Sequence, residues 1–184
     1  LTSAETAWDE GGGGISAAFS TPAYQVGLTV AGVPIGGNRA VPDVAYDADP
    51  ATGFSVYGSY DSANTGWDVV GGTSAGSPQW AALIALVNQK RTDAGFGYIG
   101  NKAITQTYSL ANLNASSFYT DITGGSNGFP ATGGFDLATG WGSPLATSLI
   151  NGMSGTLSGG VGSTGFTWNA EYLEATSKYP GGTT

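Results

Sequence analysis

The stretch GGTSAGSPQWAALIALVNQ, residues 71–89, joins a glycine-rich turn to a long apolar segment, and it decides how the chain folds. Residues 80–87, WAALIALV, are apolar nearly all round, which predicts a helix buried inside a larger domain rather than one lying on a surface. Pro78 lies in the first predicted turn, where a missing N–H is tolerated. The sequence therefore predicts a buried helix from Ser74 to about Arg91.

Ser74, at the start of this helix, has two interpretations. Its backbone N–H is one of the unpaired donors at a helix N-terminus, where the helix dipole favours negative charge. Such a position can stabilise an oxyanion that forms beside a nucleophilic hydroxyl. A serine here can also simply cap the helix, and the triplet GTS taken alone favours capping. The stretch by itself leaves both interpretations open.

The composition excludes several kinds of chemistry. The 184 residues contain no cysteine and no histidine, so disulfides, thiol nucleophiles and a Ser-His-Asp triad cannot be built from this chain. Five Lys and Arg face thirteen Asp and Glu, a net charge of −8, which argues against nucleic acid as a partner. No apolar run approaches the roughly 20 residues of a membrane span, so no membrane partner is expected. Any hydrolytic chemistry must use carboxylates, a lysine or a hard metal ion.

The rest of the chain predicts short elements between glycine-rich loops. Residues 40–48 predict a short buried strand, and residues 54–73 predict a β-hairpin. Residues 99–111 predict a second helix, and residues 143–153 a last, short one. The following residues, 154–165, are rich in Gly and Ser and are typical of a linker.

Five segments of the chain carry a resemblance to a known family. They are ETAWDEGGGGIS (5–16), PDVAYDADPATGFSVYG (42–58), GGTSAGSP (71–78), YTDITGGSNG (119–128) and GGFDLATGWGSP (133–144). In this order they resemble the sedolisins, the serine-carboxyl peptidases of subtilisin-like fold. One short motif would be weak, whereas five in order between residues 5 and about 152 make the resemblance strong.

The resemblance implies an α/β fold, part of a subtilisin-like parallel sheet with the nucleophile helix buried against it. Residues 1–153 would be the C-terminal half of a sedolisin-like catalytic domain, and residues 154–184 a Gly/Ser-rich linker and tail. Ser74 would be the nucleophile. The family's catalytic glutamate, its supporting aspartate and its oxyanion-hole aspartate map upstream of this chain, so a second chain or an upstream segment is expected to supply them. Glu5, Asp9 and Glu10 are expected to be solvated surface charges rather than substitutes.

The resemblance also implies one structural calcium ion. Its ligands would be the side chains of Asp121 and Asp136 and the carbonyls of Ile122, Thr132 and Gly134, with water. Hard oxygen ligands in a flexible loop suit calcium. The alternative is that the two aspartates bond only to their own turns.

The function expected from the resemblance is hydrolysis of polypeptide substrates through an acyl-enzyme on Ser74, by a secreted peptidase that acts in acid. A carboxylate base fits an acidic medium, in which an imidazole would be protonated. Two alternatives remain: a non-catalytic secreted binding module and a degenerate peptidase relative kept as a scaffold. Asp43, Asp47 and Asp49 form a carboxylate cluster that is expected to cap turns or to line the rim of the cleft rather than to catalyse.

Overall fold

A computed structural model describes residues 4–60 and 65–155. Within these ranges helices and strands are mixed, as expected for an α/β chain. The predicted linker and tail fall, from residue 156 onward, outside the described residues. In chain order the elements are β1 (Gly14–Ser20), β2 (Thr29–Val30), β3 (Val33–Pro34), β4 (Asn38–Val41), β5 (Phe54–Gly58), β6 (Gly66–Val70), α1 (Thr73–Asp93), α2 (Lys102–Asn114), β7 (Tyr119–Thr120), β8 (Ser143–Pro144) and α3 (Ala146–Ser154).

Among residues 4–60 and 65–155 the strands form four separate two-stranded sheets, and all four pairings are antiparallel: β1 with β4, β2 with β3, β5 with β6, and β7 with β8. The expected parallel sheet is therefore not seen among the described residues, where the one parallel contact is an isolated bridge between Ala7 and Gly125. A parallel pair needs a crossover of a dozen or more residues. The connections from β2 to β3 and from β5 to β6 are too short for one, so these strands can only turn back on themselves.

The β5–β6 hairpin was predicted from the sequence and is confirmed. Its register pairs Phe54 with Val70 and Gly58 with Gly66. Strand β6 ends at Val70, and two glycines, residues 71 and 72, separate it from α1. Residues 40–48 do not form the predicted strand: β4 ends at Val41, and residues 43–48 have no regular secondary structure.

The helix predicted from Ser74 to about Arg91 is present as α1, but it is buried on one side only. Trp80, Ile84 and Val87 lie on its covered side and join a core with α2 and α3 that includes Leu110 and Leu149. The opposite side is exposed along most of its length; we call it the exposed face of α1, and it consists of Thr73, Ser74, Ser77, Pro78, Ala81, Ala82, Ala85, Leu86 and Gln89. A helix that is apolar all round does not reveal from sequence which side its own chain covers.

The predicted bounds of the other helices shift by a few residues. The second helix begins at Lys102 rather than at residue 99. The last begins at Ala146, because Ser143 and Pro144 pair with β7 instead of starting a helix. Within residues 4–60 and 65–155, none of the helices has both the length and the apolarity that crossing a bilayer requires.

Candidate active site and candidate metal loop

Ser74 is the second residue of α1 and is exposed to solvent. The N-cap residue is Gly72, whose φ of 89° and ψ of 153° lie outside the helical region. No side chain makes a capping hydrogen bond at this end of the helix. The Ser74 hydroxyl is therefore not the cap of this helix. Pro78 has no N–H and lies in the second turn of the helix, so it cannot donate to the Ser74 carbonyl four residues earlier. The Ser74 backbone lies at the open, positive end of the helix.

No carboxylate among the described residues hydrogen-bonds to the Ser74 hydroxyl. The nearby acids are engaged elsewhere: Asp47 accepts from the Thr52 hydroxyl at 2.9 Å, and Asp49 from the Ala51 N–H at 2.8 Å. These bonds hold the turn at residues 49–52, as expected for this cluster. A general base for Ser74 is thus not provided by the acids of this turn.

The acidic residues near the N-terminus do not hydrogen-bond to the Ser74 hydroxyl either. Asp9 and Glu10 are exposed, in line with the expectation of solvated surface charges. Glu5 is exposed as well, and its carboxylate accepts a hydrogen bond from the Ser143 hydroxyl at 2.5 Å.

Asp136, one of the two predicted metal ligands, is fully buried and densely hydrogen-bonded. Its Oδ1 accepts from the Ala138 N–H at 2.8 Å, and from the N–H and hydroxyl of Thr139 at 2.7 and 3.1 Å. Its Oδ2 accepts from the Thr132 N–H at 2.8 Å. A buried carboxylate is tolerated here because backbone and hydroxyl donors replace the water that it loses.

Asp121 follows β7 and holds the other side of the same loop. Its Oδ2 accepts from the Gly134 N–H at 2.9 Å. The structure therefore brings Asp121 against one short loop that contains Thr132, Gly134 and Asp136, while Ile122, next to Asp121 in the chain, is buried. We call residues 132–142 the acidic loop.

Two side-chain oxygen atoms at the acidic loop accept no hydrogen bond from the described residues. The Thr132 hydroxyl oxygen is buried and has no hydrogen-bond partner among the described residues, and the Asp121 Oδ1 accepts no hydrogen bond from them. Residues 4–60 and 65–155 contain no group of three or more His, Cys, Asp or Glu side chains that could hold a metal. A calcium site does not need such a group, because carbonyl, hydroxyl and water oxygens complete its shell. The donors present fit a hard cation, and Thr132 could contribute its hydroxyl as well as the predicted carbonyl.

A buried polar network behind these two regions was not predicted from the sequence. Gln25 is fully buried; its Nε2 donates to the Tyr108 hydroxyl at 2.7 Å and to the Ala40 carbonyl at 2.9 Å. The Tyr108 hydroxyl donates to Asp43 Oδ1 at 2.8 Å, and Arg39 donates two hydrogen bonds to the same carboxylate at 3.0 and 2.6 Å. The hydrogen bonds from Arg39 to Asp43 raise the pKa of Arg39, and burial raises the pKa of Tyr108. No local pattern could have indicated partners so far apart in the chain.

Comparisons with known proteins agree with the resemblance seen in the sequence. No protein-family model matches the chain. It is 38% identical over 165 residues to kumamolisin from Bacillus sp. (strain MN-32), and 34% identical over 156 residues to sedolisin from Pseudomonas sp. (strain 101). Among solved structures it is similar to Pseudomonas sedolisin, a serine-carboxyl proteinase complexed with two molecules of pseudo-iodotyrostatin, with a TM-score of 0.65 and 30% identity.

These relatives define a class, the serine-carboxyl peptidases. The chain belongs to the sedolisin family. The alignments cover 81% and 76% of this chain, but the chain spans only about a quarter of the two relatives, 27% of kumamolisin and 24% of sedolisin. The structural alignment covers 80% of this chain and 40% of the solved sedolisin chain.

Proposed function

We propose that this chain is the nucleophile-bearing part of an acid-acting serine-carboxyl endopeptidase, and that Ser74 is its nucleophile. The observation that carries the proposal is the position of Ser74 in a chain of the sedolisin family. This serine is exposed at the N-terminal end of a long helix, and its hydroxyl does not cap that helix. The solved sedolisin is a serine-carboxyl proteinase, which supports polypeptide substrates for this chain too.

The proposed chemistry uses carboxylates in place of histidine. The Ser74 hydroxyl attacks the peptide carbonyl while its proton passes to a glutamate, forming an acyl-enzyme that water then hydrolyses. A glutamate of pKa about 4.3 still accepts a proton in mild acid, where an imidazole cannot. The Ser74 N–H at the helix start supports the developing oxyanion, together with a protonated aspartate that donates a hydrogen bond.

The base is proposed to come from polypeptide outside this chain, either an upstream segment or a second chain. The exposed face of α1 supports this, because it contains no charged side chain and yet extends along nearly five turns of the helix. Such an apolar surface is typical of an interface rather than of a water-facing helix. Ser74 lies at one end of this face, so a layer that covers it would also reach the hydroxyl. The buried helix and parallel sheet expected from the family would be completed there.

One calcium ion is proposed for the acidic loop, held by the side chains of Asp121 and Asp136 and by oxygens of Ile122, Thr132 and Gly134. The ion would supply positive charge that stabilises the loop. The spare oxygens of Asp121 and Thr132 support this assignment. The alternative, in which the aspartates only hold turns, accounts for their N–H bonds but leaves the buried Thr132 oxygen without a partner.

A secreted location in an acidic medium is also proposed. The chain has only five Lys and Arg, so it can form few ion pairs that protonation of a carboxylate would break on acidification. The absence of cysteine removes any dependence on disulfide formation.

The catalytic assignment is tested by assaying casein cleavage at about pH 4, near the pKa of a glutamate. The chain alone is expected to show no turnover, because no carboxylate among the described residues hydrogen-bonds to the Ser74 hydroxyl. Addition of a polypeptide that carries the missing family carboxylates should produce activity, and Ser74→Ala should lower that activity by about three orders of magnitude or more. Ser77→Ala, which alters a serine one turn later on the same face, should leave it nearly unchanged.

The possible outcomes separate the candidate functions. Robust turnover by the chain alone would show that the base assignment is wrong. A reconstituted complex that cleaves equally well with Ser74→Ala would refute the nucleophile. A complex that assembles but never cleaves would favour the degenerate scaffold, and a chain that binds no partner would favour the non-catalytic module.

A further inference from the structure

Residues 43–48, which we call the connecting segment, contact the acidic loop on one side. The Trp141 N–H donates to the Asp43 carbonyl at 3.0 Å, and the Ala45 N–H donates to the Gly142 carbonyl at 2.9 Å. At Gly140, which has a φ of 63°, an added Cβ would lie only 2.3 Å from the Asp43 carbonyl carbon and oxygen. The two backbones therefore touch with no side chain between them, and glycine is the residue that permits it.

The other side of the connecting segment contacts the start of α1, on both flanks of Ser74. Two residues before Ser74, the Gly72 N–H donates to the Ala48 carbonyl at 2.5 Å. Two residues after it, Gly76 is so close to Tyr46 that an added Cβ would lie 3.2 Å from the Tyr46 Cβ. One turn further on, Trp80 Nε1 donates to the Ala45 carbonyl at 3.2 Å.

The connecting segment is anchored at its first residue. The Asp43 carboxylate takes two hydrogen bonds from Arg39 and one from the buried Tyr108 hydroxyl, which join it to β4 and α2. Its next acid, Asp47, is held by Thr52. A segment without helix or strand is thus fixed through side chains at both ends.

The contacts continue to Asp136 inside the acidic loop. Asp136 and Gly140 exchange two backbone hydrogen bonds, each 3.1 Å long, and the Asp136 carboxylate holds the Thr139 N–H. An unbroken series of short contacts therefore runs from Asp136 through residues 140–142 and the connecting segment to the two glycines that flank Ser74. Packed, hydrogen-bonded series of this kind can carry energetic coupling between sites.

We propose that the connecting segment sets the position of Ser74 relative to the acidic loop, with Asp43 and Trp80 as positioning residues. This inference rests on the proposed roles of Ser74 and the acidic loop. It assigns Asp43 a part in the site that is neither catalytic nor a turn cap. It also means that a cation bound by the acidic loop should restrain the backbone on both sides of Ser74.

The test is hydrogen exchange on the complete chain, read at the amides of residues 72–76, with those of residues 107–111 in α2 as an internal reference. Trp80→Phe removes the indole N–H but keeps an aromatic ring, and Asp43→Asn keeps the shape but removes the charge. Both variants, in chelator, should speed exchange at residues 72–76 by about fivefold or more. Trp80→Phe should change the α2 reference by less than about twofold, whereas Asp43→Asn is compared with Trp67→Phe at residues 72–76 alone, because Tyr108 of α2 contacts Asp43. Trp67→Phe, which alters an exposed tryptophan on β6, is the matched control and should change neither.

Calcium provides the second arm, with binding measured separately by titration calorimetry. In the unaltered chain and in Trp67→Phe, calcium should slow exchange at residues 72–76 by about fivefold or more, and in Trp80→Phe by less than about twofold. Calcium that binds without slowing exchange there, or that slows it equally in Trp80→Phe, would overturn the inference. If calcium does not bind, the proposed metal site is wrong, and the comparison in chelator still decides the positioning role. Equal exchange in Trp80→Phe, Asp43→Asn and Trp67→Phe would refute that role.

Discussion

At the scale of single residues, the function assigned to a polar side chain depends on what it contacts. Asp43, Asp47 and Asp49 look alike in the sequence, yet the structure separates them. Asp43 lies in a network with Arg39 and Tyr108, whereas Asp47 and Asp49 hold an exposed turn. Ser74 differs from these three acids, because its hydroxyl has no hydrogen-bond partner in the described part of the chain.

Tyr108→Phe tests the buried network. The change removes a hydroxyl that donates to Asp43 and accepts from Gln25, so we expect a loss of about 1–3 kcal/mol in the free energy of unfolding at neutral pH. Tyr98→Phe is the control, because Tyr98 is 74% exposed and should change stability by less than about 0.5 kcal/mol. Urea unfolding measures both, and an equal effect of the two changes would contradict the assignment.

The same tyrosine predicts how stability depends on alkaline pH. Burial, and then the Asp43 charge, raise the pKa of Tyr108 above its ordinary value of 10.0. Its protonated form is thus favoured in the folded state, so its contribution is complete below pH 10.0 and is lost as the pH rises above that value. Tyr108→Phe should therefore make the loss of stability above pH 10.0 less steep. Part of that loss should remain, because burial also raises the pKa of Tyr119.

At the scale of elements, α1 shows what a sequence pattern can and cannot define. The apolar run at 80–87 and the basic residues Lys90 and Arg91 predicted the helix nearly to its ends. The pattern did not define which side would be covered, because both sides are apolar. The side with Trp80, Ile84 and Val87 packs on α2 and α3, and the side with Ser74 has no partner among the described residues.

Substitutions at two adjacent positions of α1 test this division. Val87 is 1% exposed and Leu86 is 49% exposed. Val87→Ala should lower the free energy of unfolding of the chain by roughly 2 kcal/mol, since it removes buried methyl groups and leaves a cavity. Leu86→Ala should change it by less than about 0.5 kcal/mol. If the exposed face is an interface, Leu86→Ala should instead weaken binding of the complementary polypeptide, measured by calorimetry; unchanged affinity would argue against that interface.

At the scale of the whole molecule, residues 4–60 and 65–155 form short antiparallel strand pairs and three α-helices, which loops connect. The connecting segment and the acidic loop join the parts, although neither is a regular element. Stability should therefore depend on the acidic loop more than its length suggests.

Calcium removal tests this dependence. Calcium at about a hundredfold excess over its Kd should stabilise the chain by about 2.7 kcal/mol, which corresponds to a rise in Tm of roughly 5–10 °C. EDTA at mildly acidic pH should reverse the rise, as seen by differential scanning calorimetry. Asp121→Asn should reduce the shift, and Asp68→Asn, which alters an exposed acid on β6, should not. A Tm that is the same with calcium and with EDTA would count against the metal site.

The sequence by itself determined the long helix with Ser74 at its start, the β5–β6 hairpin and the family, because each rests on residues close together in the chain or on motifs in a fixed order. Only the tertiary structure decided which face of α1 is covered, and that Asp43 meets Tyr108 and Gln25 meets Tyr108 across 65 and 83 residues of chain. It also decided that residues 43–48 leave the strand pattern and lie between the acidic loop and Ser74. Contacts of this range depend on how several loops close at once, and no local propensity or periodicity encodes that outcome.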